Sequence, residues 1–165
     1  MDLPTSQPPT APPLTTKVPS SKTSDIKAAI AEVYTDFWPV SAEAAKAPAA
    51  QARKLLAPYV AGEFLDEQVQ KIGTYQAENQ EPYGQPTVHI MRVTLGPGNT
   101  ASLHDCLDFS KAGLADRRTH QLIPGTLGSS RTHVAADFKR GSDGRWRLTS
   151  VMQLEEPCSP ASSQQ

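Results

Sequence analysis

The sequence predicts an α+β fold, with N-terminal helices packed in the concavity of a curved antiparallel sheet, in one domain behind a disordered N-terminal tether. Three observations carry this expectation. Apolar residues recur at a helical period only between residues 25 and 73. After Gly73 they alternate with a period of two. The alternating runs are joined by the glycine-containing turns "GPGN" (96–99) and "GSDG" (141–144).

Each element follows in chain order. Residues 1–23 hold six prolines and eight Ser or Thr with almost no large apolar side chain. Such a segment buries too little surface to offset its ordering entropy, which predicts a disordered, polyproline-like tether. The domain then spans 24–158, and the closing 159–165 ("SPASSQQ") reads as a disordered tail. Asp25 is placed to cap a helix whose stripe is Ile26, Ile30, Val33, Tyr34, Phe37 and Trp38, with Pro39 expected to kink or end it. "AAQARKLLAPYVAGEFLDEQVQKIG" predicts two shorter helices packed as a corner, broken at Pro58 and closed at Gly73. "PTVHIMRVTL" and "TASLHDCLDFS" read as strands paired across the first turn. Residues 111–130 are polar, with a short strand expected near His120 to Ile123. "THVAADFKR" and "RWRLTSVMQLEE" form a second hairpin.

Composition excludes several classes. A net charge of −1 gives no electrostatic case for nucleic acid or an anionic membrane surface. The basic cluster Lys139, Arg140, Arg145 and Arg147 reads as a solvated hairpin tip. No apolar run is long enough to span a membrane, and no signal peptide opens the chain. A Pro/Ser/Thr tether is nevertheless what remains after an export signal is removed. That predicts an extracytoplasmic protein, secreted or attached to the cell envelope, with room for a lipid anchor upstream and with Met1 an added start codon. "GTLGSS" lies between no strand and helix, and the serines have no elbow motif, so no nucleotide, hydrolase or cofactor chemistry is expected.

The two cysteines decide the setting. On the strand "SLHDCLDFS", Leu103, Asp105, Leu107 and Phe109 share the face marked as core, while Ser102, His104, Cys106 and Asp108 share the other. Metal binding is disfavoured, because one Cys, one His and one Asp on a single face do not make a zinc set. A nucleophilic thiol is disfavoured too, since flanking carboxylates raise its pKa. Cys158 follows the last strand, which a meander can bring back beside Cys106. A bridge closing a loop of about 50 residues contributes roughly 4 kcal/mol in the chain-entropy picture.

"YTDFW", "DCLDFS" and "VAADFKRGSDGRWRLTSVMQLEEPC" together resemble small exported or lipoprotein-like actinobacterial proteins of the nuclear transport factor 2-like, SnoaL-like superfamily. The resemblance spans roughly residues 25 to 158. It implies the cystatin-like cone shared with ketosteroid isomerase and scytalone dehydratase, the same Cys106–Cys158 bridge, and a homodimer through the open sheet face. It assigns no function, because such a cone hosts enzymes, ligand pockets and protein-docking surfaces alike. No catalytic motif of the isomerases matches here residue by residue.

Strand and helix parity nominate Tyr34, Trp38, His89 and Asp105 as pocket residues, with His89 on the face of Met91, Val93 and Leu95. Trp146 shares a face with Leu148, Met152 and Leu154. If Asp105 and His89 met, desolvation would make them an acid–base pair for an isomerase, dehydratase or cyclase. The structural reading has Asp105 accepting backbone or hydroxyl hydrogen bonds and His89 satisfied near a strand end. The expectation is a non-enzymatic domain that binds a protein partner or a small apolar ligand, as an accessory of an envelope or transfer apparatus in one version.

Overall fold

The computed structural model describes residues 19–158, and the expected tail with most of the expected tether lies outside them. Residues 19–23 are a correction to the tether. They open helix α1, Pro19–Ala44, with a proline at the first helical position, where its missing N–H costs nothing. Asp25 therefore lies inside the helix and not at its cap. Helices α2 (Ala49–Leu56) and α3 (Gly62–Ala77) form the expected corner.

Two expected helix stops do not operate. Pro39 stands inside α1. It and Thr35, the residue whose carbonyl loses its partner, are both exposed, so water can replace the missing bond. Gly73 is passed as well, and α3 closes instead at Asn79, which takes the left-handed conformation at φ 59.

The strands form two antiparallel sheets. Strands β2 (Ile90–Leu95), β3 (Thr100–Leu107), β5 (Thr132–Arg140) and β6 (Trp146–Gln153) pair in the order β2-β3-β5-β6. The turns at 96–99 and 141–144 fall where the sequence puts them. Strands β1 (Gln80–Tyr83) and β4 (Gly113–Asp116) make a separate pair that the alternation does not announce. The short strand expected near His120 shrinks to a single bridge between Leu122 and Ala115.

The helices cover one face of the larger sheet. Ile30, Tyr34 and Phe37 of α1, Leu56 of α2 and Phe64 of α3 pack on Leu103, Ala136, Phe138 and Leu148. Two bulges alter the expected parity. In β2, Ile90 opposes Asp105 while Arg92 opposes His104, so Met91 is the extra residue. Ile90, Val93 and Leu95 then pack inward, and His89 is turned out and exposed. In β6, Leu148 opposes Phe138 and Ser150 opposes Asp137, leaving Thr149 extra. Val151 takes the inward position that Met152 was expected to share, and Met152 is 53% exposed.

Cys106 lies on the face of β3 opposite the leucines and is bonded to Cys158, with Cα atoms 5.7 Å apart. The segment after β6 is thereby strapped across the outer face of the sheet. The Leu154 N–H donates to the His133 carbonyl at 2.8 Å, and His133 Nδ1 lies 3.2 Å from the Glu156 carbonyl.

Candidate functional site

The "YTDFW" turn of α1 puts Tyr34 and Trp38 on one stripe and Phe37 beside them, and the fold gives the three different surroundings. Tyr34 is fully buried against the sheet. Its hydroxyl donates to Asp105 Oδ2 at 2.9 Å, and the His89 backbone N–H donates to Asp105 Oδ1 at 2.6 Å. Burial raises the Asp105 pKa, and these hydrogen bonds oppose the rise. Burial, followed by the neighbouring carboxylate, drives the Tyr34 hydroxyl far above its ordinary value, so it remains a neutral donor. The buried Trp38 indole N–H has no hydrogen-bond partner among the described residues.

Asp105 and His89 do approach each other, but through the His89 backbone. The His89 ring is exposed and its Nδ1 lies 3.1 Å from the Cys106 carbonyl. The acid–base pair of side chains is therefore not formed. The bulge at Met91 is the reason, because it turns the ring away from the face it would otherwise share with Val93.

The cavity lies on the other side of Trp38. It holds about 470 Å³, between the C-terminal half of α1, α3, the β1–β4 pair and Val151 of β6. That volume falls within the roughly 300–1,000 Å³ typical of small-molecule sites. Phe37, Trp38, Phe64, Tyr75, Tyr83 and Phe109 line it, six of the chain's ten aromatic residues. Trp38 packs edge-on against Tyr34 at 5.9 Å, Phe37 at 5.1 Å and Phe109 at 6.0 Å between ring centroids. Of the four expected pocket residues, only Trp38 lines the cavity. Tyr34 and Asp105 are sealed behind it, and His89 is elsewhere on the surface. Among the described residues, no aspartate, glutamate or histidine lines the cavity, and Lys71 is its one charged side chain.

Glycine keeps the walls close. A Cβ on Gly128 would stand 2.5 Å from Phe109 Cβ. Gly84 has φ +61, and a Cβ there would stand 2.1 Å from the Lys111 carbonyl oxygen.

Two further constellations were not visible in the sequence. Buried Glu81 on β1 meets the exposed His120 ring, with Oε1 and Nδ1 2.5 Å apart, and His120 is held at φ 59. On the strapped face, His104 Nδ1 and His133 Nε2 lie 2.9 Å apart. Desolvation, with Arg92 and His133 nearby, lowers the His104 pKa. Spacing alone could not pair these residues, since the partners are 39 and 29 positions apart. No group of three or more His, Cys, Asp or Glu is arranged to hold a metal among the described residues. Nor is any helix among them long and apolar enough to cross a membrane.

No protein-family model matches the chain, and no curated protein matches it. Among solved structures it is similar to the intermembrane space region of the chloroplast protein ARC6. That match is 14% identical, covers 83% of this chain and 98% of the other, and has a TM-score of 0.56. That likeness is one of fold. A de novo designed β-sheet protein aligns at 15% identity over 79% of this chain and 92% of its own, with a TM-score of 0.33, and carries no argument.

Proposed function

We propose that this is an exported, non-enzymatic α+β domain of the nuclear transport factor 2-like, cone-shaped kind that binds a small apolar ligand outside the cytoplasm. The gathering of six aromatic side chains around one cavity of about 470 Å³ carries the reading. Aromatic walls contribute large apolar contact area at low conformational cost. The lining offers no acid–base pair, and the best carboxylate, Asp105, is fully buried behind Trp38 with its oxygens already engaged. These features favour holding a ligand over transforming one. The strapping disulfide supports the exported setting, because such bonds persist in oxidising compartments.

A thermal-shift screen of the oxidised protein against neutral lipophiles tests the reading, since a ligand at 100 times its Kd stabilises the folded state by about 2.7 kcal/mol. At least one apolar ligand is expected to raise Tm in the wild type and to lose that effect in Ala42→Phe, which fills the cavity from α1. If no lipophile shifts Tm and none co-purifies, the ligand-binding reading falls.

A further inference from the structure

The lining residues differ in depth. Phe37, Ala45, Phe64, Ile72 and Ala112 are buried and form the floor. Lys71, Tyr83 and Gly84 are exposed and mark the mouth. The floor is thus apolar, and one cation stands at the opening. Among the described residues no carboxylate forms a salt bridge with Lys71. Its ammonium is instead held over the Tyr75 ring, 5.8 Å from the centroid, beside the same mouth. Gln68, one turn earlier on α3, adds an amide to this rim. A charged group with no salt-bridge partner among the described residues, at the entrance of a site whose floor is apolar, selects for the opposite charge at one end of the ligand.

We infer that the cavity takes a mono-anionic amphiphile, a compact apolar or aromatic body with one carboxylate or sulfonate head, which enters body first and leaves its head at Lys71. This inference rests on the ligand-binding reading above and adds the charge and orientation of the ligand. The mouth is open to water, so the ion pair is partly solvated. Its contribution is bounded by that of exposed pairs, which corresponds to a preference of up to about fivefold for the anion. The preference must shrink as salt is added, because screening acts strongly on exposed charges.

Two fluorescent probes with one ring system separate the claims: 1-anilinonaphthalene-8-sulfonate, which carries the anion, and N-phenyl-1-naphthylamine, which does not. Both are titrated into the oxidised full chain, into Lys71→Met and into Ala42→Phe. The expected result is tighter binding of the sulfonate than of the neutral probe in the wild type by about two- to fivefold, a ratio lost in Lys71→Met and at high salt. Ala42→Phe should weaken both probes. Equal affinity of the two probes in the wild type, or equal loss of both in Lys71→Met, overturns the anionic head while the cavity stands. Binding of neither probe, or binding of both that Ala42→Phe leaves unchanged, overturns the cavity itself.

Discussion

Tyr34 and Asp105 bury a phenol and a carboxylate against each other, and this has a signature in pH. The folded Tyr34 hydroxyl titrates well above its ordinary value of 10.0. Above that ordinary value the unfolded chain loses the proton and the folded chain keeps it, so stability is full below and falls as pH rises. Melting temperature should decline steeply from about pH 9.5 upward, and Tyr34→Phe should flatten that decline. His104 works in the opposite direction, because its folded pKa lies below the ordinary 6.5. The unfolded chain therefore binds the proton first as pH falls, and stability present above about pH 6.5 is lost below it. His104→Gln should reduce that acid loss, as read in denaturant midpoints across the same range. Asp105→Ala leaves the Tyr34 hydroxyl and the His89 N–H without an acceptor, which should cost roughly 2–4 kcal/mol in chemical denaturation. An unchanged midpoint for Asp105→Ala would contradict the structural role assigned to this carboxylate.

Individual elements depart from the sequence's own punctuation where solvent removes the penalty. Pro39 does not end α1 and Gly73 does not end α3, because both lie on exposed helix surface where a missing bond or side chain is tolerated. A Cβ on Gly73 meets nothing within 4 Å, so Gly73→Ala should stabilise the protein by about 0.5–1 kcal/mol. Gly84→Ala should do the reverse and lower Tm clearly. Its φ of +61 and the Lys111 carbonyl 2.1 Å from the added Cβ both oppose the change. A Gly84→Ala protein as stable as the wild type would mean that the β1 turn is more yielding than this packing allows. The bulges at Met91 and Thr149 are of a different kind. An inserted residue leaves no mark in an alternating pattern, yet it reverses every side chain beyond it. That is why His89 and Met152 were expected inside and are found outside.

At the scale of the whole molecule, the Cys106–Cys158 bridge ties residues 52 positions apart and holds the C-terminal segment on the sheet. The chain-entropy picture gives about 4 kcal/mol for such a loop. The double variant Cys106→Ser with Cys158→Ser should lose about that much stability in denaturant. In the native protein, a thiol-alkylating reagent under denaturing conditions should add nothing by intact mass until the bridge is reduced, and then two adducts. Two adducts without reduction would remove the bridge.

The sequence by itself determined the α+β class, the helix pair, both hairpins and the inward face of β3, because these follow from short-range periodicity and turn chemistry. It also marked Cys106 as pointing away from the leucines, which is where the bridge lies. Only the tertiary structure decided that Asp105 serves Tyr34, that Trp38 divides this buried pair from an aromatic cavity, and that Lys71 is the one charged side chain lining that cavity among the described residues. These juxtapositions bring together side chains from helices and strands tens of residues apart. Local spacing cannot encode them, because they depend on how the layers stack and on two bulges that no alternation shows.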